Sequence, residues 1–212
     1  GRGRAAKGSL EVLLQANIKQ VSLKDYLYNS YEDAVFCNIT TSEYVERKDG
    51  KDFSSQDFIS NPHEYRSKIK KYLLNTDMLL ASHYWDPKSP KLFTLSEINE
   101  FKNLKIVGDI TCDINGSVPT TIRPTSIAKP YYSIDKNSFQ EISLGNEGIA
   151  VMAVDNLPSE LSRDSSEEFG NSILSEVLPY LINQDDGRIN RATTTSKGKF
   201  YPSFSYLENF IR

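Results

Sequence analysis

Four short stretches of this chain combine groups that could bind a ligand and act on it. Gly1 and Gly3 run directly into residues with apolar side chains at helical spacing, and a Gly-x-Gly turn entering a helix can lay backbone amides against a phosphate. Asn38 to Thr41 follow the compact apolar run AVFC; Asp109 to Gly116, with Asp113 among them, follow LKIVG; Asp155, Asn156 and Leu157 follow GIAVMAV. Carboxylates and amides placed directly after apolar runs are suited to hydrogen-bonding hydroxyls and amines. Either aspartate, Asp109 or Asp155, could instead cap the turn that follows it. A lone Gly-x-Gly is weak, and the four stretches together carry more than any one alone.

What must position them is an alternation of elements. Ala5 to Ala16 reads as a helix with Leu10, Val12, Leu13 and Leu14 at its spacing, and Ile18 to Ser22 as a short strand. AVFCNIT (34–40) is expected to be a buried parallel strand, Thr41 to Pro62 a polar surface excursion, and HEYRSKIKKYLLN (63–75) an amphipathic helix. DMLLAS (77–82) reads as strand, LSEINEF (95–101) as helix and LKIVGDI (104–110) as strand. Thr111 to Asp135, rich in Gly, Pro, Thr and Ser, is expected to be a long functional loop. GIAVMAVDNLP (148–158) reads as a last buried strand, and 165–182 as a helix capped by Ser165 or Asp164. The fold class implied is α/β and Rossmann-like: a mostly parallel sheet with helices on both faces, plus C-terminal helices. In such sheets ligands bind outside the carboxyl ends of the strands, where the four stretches fall.

Composition narrows the function. The chain has 212 residues, 38% hydrophobic and 25% charged, which suits a soluble protein with a real core. A net charge of −3 disfavours nucleic acid as a partner. No apolar run spans a membrane and no leader pattern opens the chain, so the expected location is cytoplasmic with no membrane partner. Cys37 and Cys112 lie in apolar runs without metal spacing and read as buried free thiols. His63 and His83, on different elements with no supporting ligands, argue for no metal site.

Two segments are more specific. GDITCDINGSVPTTIRPTSIAKPYYSID (108–135) and GIAVMAVDNLPSELSRDSSEEFG (148–170) resemble the saccharopine dehydrogenase and lysine-ketoglutarate reductase family, relatives of alanine dehydrogenase. The likeness extends back through NPHEYRSKIKKYL and HYWDPKSPKLFT to the opening glycines, and forward to RATTTSKGKFYPSFSYLENF. It implies a partial dinucleotide-binding domain over residues 1–160, with the first strand missing. Residues 161–212 would be a helical segment returning to a substrate domain absent from this chain.

The resemblance implies NAD or NADP as cofactor. Gly1, Gly3 and Arg4 match the turn at the pyrophosphate, Ser22 stands where an acidic residue would hold the adenosine ribose, and Asn38 and Ile39 end the next strand. Asp113 matches a functional aspartate of alanine dehydrogenases, although DING departs from their Asp-Gln-Gly-Gly. Asp155 matches the saccharopine enzymes' Asp-x-Leu-Pro, and Asn156 and Leu157 the strand end facing the nicotinamide. Asp113 and Asp155 are thus the implied catalytic residues. Lysine, 2-oxoglutarate or saccharopine would be the substrate, and an oligomer or a companion segment would complete the protein. An alanine-type amino-acid dehydrogenase and a non-catalytic dinucleotide-binding fragment are the alternatives.

Overall fold

The computed structural model describes residues 1–143 and 148–211. The chain forms two compact units, Gly1–Asp155 and Asn156–Arg212.

The first unit opens with helix α1 (Arg4–Gln15). The helix stops where Asn17 turns left-handed, at φ 58°; Asn17 N–H then bonds the Leu14 carbonyl at 2.9 Å and Ile18 N–H the Leu13 carbonyl at 3.0 Å. That is a Schellman closure with asparagine in the place glycine usually takes. β1 (Lys19–Gln20), α2 (Leu23–Tyr28) and β2 (Val35–Phe36) follow, and β1 pairs with β2 in parallel. The strand expected over 34–40 is therefore only two residues of ladder, with its polar end already outside it.

Next come α3 (Thr41–Tyr44), β3 (Val45–Arg47), α4 (Ser55–Ser60), β4 (Tyr65–Ser67) and α5 (Lys70–Leu73). Of the helix expected over 63–75 only the last part forms, as α5. Pro62 opens a single 3₁₀ turn, and Tyr65–Ser67 then pairs antiparallel with Val45–Arg47. Tyr65, Ile69, Tyr72 and Leu73 are all buried at spacings that imitate a helical stripe. Tertiary packing overrides the pattern, because Tyr65 stacks edge-on against Phe53 and Phe58, with centroids at 5.9 and 5.1 Å. The surface excursion is thus a folded hairpin. Arg47 pins it, bonding Asp49 at 2.9 Å and also Asp57, which receives the Tyr65 hydroxyl at 2.7 Å.

The central sheet is built from β5 (Met78–Ala81), β6 (Ile106–Asp109), β7 (Tyr132–Asp135), β8 (Glu141–Ile142) and β9 (Gly148–Met152), in the order β5-β6-β9-β7-β8. β5, β6 and β9 are mutually parallel, whereas β7 runs antiparallel to β9 and to β8. The end of the expected loop 111–135 is accordingly a strand. Gly148 lets β7 and β9 approach, since a Cβ there would lie 2.9 Å from the Ile134 carbonyl oxygen. The 95–101 stretch is one 3₁₀ turn, Leu95–Glu97, yet Ile98 and Phe101 after it are fully buried and join Leu104, Val107, Val118, Ile134, Ile149 and Val151 in the core. Among the described residues β5 has a strand partner on one side only, and β1 and β2 pair only with each other.

Asp109 closes β6 with its side chain fully buried. Its Oδ1 accepts from Thr111 N–H at 3.1 Å, the Thr111 hydroxyl at 2.5 Å and Cys112 N–H at 3.3 Å, and its Oδ2 accepts from the Thr121 hydroxyl at 2.6 Å.

In the second unit a 3₁₀ segment, Leu157–Leu161, leads straight into α6 (Ser162–Ser172), so neither Ser165 nor Asp164 is the cap. The expected single helix is interrupted by a π turn, Ile173–Val177, before α7 (Leu178–Ile182). Pro179 accounts for the break, since it has no N–H to give the ladder and its ring crowds the preceding turn. The remainder is not purely helical. After α8 (Arg188–Ala192), β10 (Thr195–Ser196) and β11 (Lys199–Phe200) form a hairpin whose Lys197 and Gly198 have φ of 51° and 74°. Two successive left-handed residues match the twist of a tight hairpin. None of the described residues of this unit is buried.

Two outcomes are expected. Asp109→Ala leaves four donors, from Thr111, Cys112 and Thr121, without their acceptor and should lower unfolding stability by about 3 kcal/mol, whereas Asp109→Asn should cost much less; urea titration of both variants checks this. Arg47 bonds hold the Asp49 carboxyl down at about 2, and the Tyr65 hydroxyl, Asn61 and Arg47 lower Asp57. A carboxyl depressed in the folded state stabilises above its ordinary value near 3.8 and loses that contribution as pH falls toward about 2. Arg47→Ala should therefore melt below the parent at pH 7, and the gap should narrow as the pH drops from about 4 to about 2.

Candidate functional site

The parallel registers decide which residues meet. Ala81 lies opposite Asp109, and Gly108 opposite Met152. The chain therefore leaves β5, β6 and β9 at one edge, through Ser82 and His83, through Ile110 to Asp113, and through Ala153 to Asp155. The Cys112 thiol donates to the Ala153 carbonyl at 3.1 Å, and Thr125 exchanges hydrogen bonds with Ala153 at 2.8 and 3.1 Å, so the β6 and β9 exits are tied together. Burial raises the Cys112 thiol above its ordinary value, and the neighbouring charges of Asp109, Asp155 and Asp113 raise it further. Three carboxylates thus gather around one point of the edge.

Asp113 stands half-buried in a strained turn. Cys112 before it and Asn115 after it both adopt left-handed backbone, φ 51° and 53°, and Gly116 N–H bonds the Asp113 carbonyl at 2.8 Å. A Cβ on Gly116 would lie 2.4 Å from the Asp113 Cβ, so only glycine fits. Left-handed backbone at non-glycine residues is costly and persists where the surroundings hold it, as the Asp109 bonds do here. Asp155 is exposed, beyond β9.

A second group forms at the end of β2. The Gly1 nitrogen donates to Asn38 Oδ1 and to the Ile39 carbonyl at 2.8 Å, and Asn38 Nδ2 returns a bond to the Gly1 carbonyl at 3.0 Å. Gly1, Asn38 and Ile39 are therefore brought together. Gly3 is the N-cap of α1 with open space where a Cβ would be, and Arg4 is its exposed first residue. Ser22 caps α2, accepting from Asp25 N–H at 3.0 Å and donating to Asp25 Oδ2 at 2.8 Å. Its hydroxyl is already engaged by the helix. Asn156 and Leu157 belong to the second unit, where the Asn156 carbonyl accepts from Ser159 and Leu157 starts the 3₁₀ segment. A cavity of about 420 Å³ lined by Ala16, Ile18, Tyr31 and Val35 lies at the amino ends of β1 and β2, away from these groups.

His83 is a residue of this edge that no motif marks. It is half-buried, its Nε2 is enclosed with no hydrogen-bond partner among the described residues, and its ring meets Tyr44 edge-on at 6.1 Å. The signal was present: His83 follows DMLLAS as Asp109 follows LKIVG, directly after an apolar run. His63, in contrast, is on the surface, 3.2 Å from Glu64. Neither cysteine is fully buried, and burial pushes the Cys37 thiol up to about 11.

The polar edge, the glycine that no other residue replaces and the orphaned imidazole nitrogen together fit a ligand rich in hydroxyls, as a dinucleotide is. Comparison with known proteins agrees. The family model for the alanine dehydrogenase/PNT C-terminal domain matches residues 35–200. An alpha-aminoadipic semialdehyde synthase of Arabidopsis thaliana is 31% identical over 187 residues, which cover 81% of this chain and 17% of that protein. The mitochondrial synthases of Bos taurus and Rattus norvegicus are 24% and 22% identical over 250 and 246 residues, each covering 98% of this chain and 26% of the relative. The chain thus spans about a quarter or less of these relatives. Two of them carry "mitochondrial" in their names, so they lend no support to the expected cytoplasmic location. Among the described residues no helix is long and apolar enough to cross a membrane. The resemblance to saccharopine dehydrogenase and lysine-ketoglutarate reductase holds, and this chain belongs to the alanine dehydrogenase/PNT C-terminal domain family, a family of dinucleotide-binding domains.

Proposed function

We propose that this chain is the dinucleotide-binding part of an NAD(P)-dependent oxidoreductase that interconverts saccharopine with L-lysine and 2-oxoglutarate. The observation that carries the reading is the gathering of Asp109, Asp113 and Asp155 around Cys112 where parallel strands end. The names of the relatives support the lysine side of it, since they are alpha-aminoadipic semialdehyde synthases.

The bound nicotinamide supplies or takes up the hydride. The chain's own residues hold and orient. Gly1, Gly3 and Arg4 at the start of α1 receive the pyrophosphate, with Asn38 and Ile39 fixing Gly1 in place. Ser22, with Lys24 and Asp25 beside it, lies nearest the adenosine ribose, and a serine next to a lysine suits NAD and NADP alike. Asp113, held by its strained turn, orients the nicotinamide-side ribose or the substrate amine. Asp155 adds a second carboxylate at the same edge, and two carboxylates favour a cationic amine such as that of lysine. Asn156 and Leu157 begin the second unit, and the proposal rests on the first-unit residues alone. Residues 1–160 act as the dinucleotide domain. Residues 161–212 return to a substrate-binding part supplied by the rest of the protein or by a companion chain.

The family name favours a second reading, an amino-acid dehydrogenase of the alanine type. Rate assays on the complete gene product separate the two: NADH or NADPH oxidation is expected with lysine plus 2-oxoglutarate. Oxidation with pyruvate plus ammonia alone would establish the alanine-type reading instead. Dinucleotide binding without turnover on either pair would mark a non-catalytic domain. Asp155→Ala is expected to lower kcat/KM by about 100-fold, while an exposed side chain away from the core leaves stability within about 0.5 kcal/mol. Unchanged turnover in both Asp155→Ala and Asp113→Ala would place the site elsewhere.

A further inference from the structure

His83 has no part in the roles assigned above, yet the fold sets it near two of the groups that have one. It lies two residues beyond β5, the charges that face it are the carboxylates of Asp109 at the end of β6 and Asp113 in the loop after it, and the opening turn at Gly1 is nearby. The ring of Tyr44, which burial keeps as the neutral phenol, packs edge-on to it. Its Nε2 is enclosed and has no partner among the described residues. A buried polar atom of this kind calls for a partner that arrives with a ligand.

We infer that His83 hydrogen-bonds a hydroxyl of the nicotinamide-side ribose, an inference that rests on the dinucleotide reading of this chain. Charge decides against the alternative contact, a phosphate. Two carboxylates face the imidazole, and they repel an anion. A neutral hydroxyl meets no such repulsion and can both donate and accept, giving its proton to a carboxylate while sharing a bond with an uncharged imidazole. Location agrees, because both the opening turn proposed for the pyrophosphate and Asp113, proposed for the ribose, lie near His83.

The sign of the pH dependence follows. Burial is the largest influence on His83 and lowers its pKa from the usual 6.5, against the opposing pull of Asp109 and Asp113, so the imidazole is neutral at pH 7. When acid protonates it, the new cation is drawn to Asp113 and competes with the ribose for that carboxylate. Affinity should therefore be level from pH 7 upward and fall on the acid side. A phosphate contact would give the reverse, with binding tightening as the imidazole charges.

The test uses the complete gene product, with NADH and NADPH titrated by fluorescence and ADP-ribose and ADP by calorimetry, between about pH 5.5 and 8.5. His83→Phe should weaken NADH and ADP-ribose about tenfold, the equivalent of one lost hydrogen bond, leave ADP unchanged and abolish the acid-side loss. His83→Gln, whose amide nitrogen reaches close to the same point, should recover much of the affinity. Melting temperatures show whether each variant is folded, and His83→Ala takes the place of His83→Phe if the larger ring is not accommodated. Equal ADP-ribose binding by the parent and the folded variant, an equal loss of ADP, or affinity that rises as pH falls would each overturn the assignment. If the parent binds NADH and these results appear, only the role of His83 is lost. If the parent binds no dinucleotide at all, the domain reading falls with it.

Discussion

A carboxylate taken wholly out of water has to be answered by donors, and Asp109 is answered by four, all supplied by the stretch that follows it. The desolvation of a charged group is offset only when such bonds are complete and well aligned. The requirement is therefore reciprocal: β6 can end in a buried aspartate only if residues 111–121 fold back over it. From this follow the left-handed backbone at Cys112 and Asn115 and the compulsory glycine at 116. The Thr121 end of the knot leads on to Tyr132, whose hydroxyl accepts from Ile122 N–H at 3.0 Å and donates to the Thr120 carbonyl at 2.8 Å. The same knot delivers the chain to β7 in register with β9.

Parallel pairing does the rest of the positioning. Because β5, β6 and β9 point the same way, their exits cannot be dispersed, and polar residues placed after each apolar run accumulate at one edge. Antiparallel β7 adds width to the sheet without adding an exit there, and the two-residue β8, antiparallel to β7, again runs the way β9 does. The Cys112 and Thr125 bonds to Ala153 tighten the edge further, turning adjacency of strands into adjacency of side chains.

This logic also explains what could be read in the sequence. The β5, β6 and β9 runs were legible because strands buried in a parallel sheet are written as continuous apolar blocks, and their polar ends were legible with them. Residues 63–75 are legible only at their helical end, α5, because Tyr65, Ile69, Tyr72 and Leu73 have helical spacing while the aromatic cluster with Phe53 and Phe58 pulls Tyr65 into a hairpin. No local signal encodes that competition. The break within residues 165–182 is written locally, because Pro179 acts on the turn before it. Within the candidate site, Asp109 could be anticipated as a cap from its place before a Thr-rich turn. The union of Gly1 with Asn38 and Ile39 could not, since it depends on how α1 and β2 meet. His83 carries no motif, and its significance is positional.

The knot around Asp109 is closed by residues 111, 112 and 121, and its outermost point takes no part in that closure. Ile114 projects into solvent, and Asn115 contributes to the fold through its backbone, with N–H bonded to the Thr121 carbonyl at 2.8 Å and its own carbonyl held by Lys91 at 2.7 Å. Structural and chemical demands are thereby assigned to different residues of one short segment. Descendants of this domain can exchange side chains at the tip, beside Asp113, while the sheet beneath remains unaware of the change. A fold partitioned in this way can alter what it recognises by drift in two or three positions, without passing through unstable ancestors.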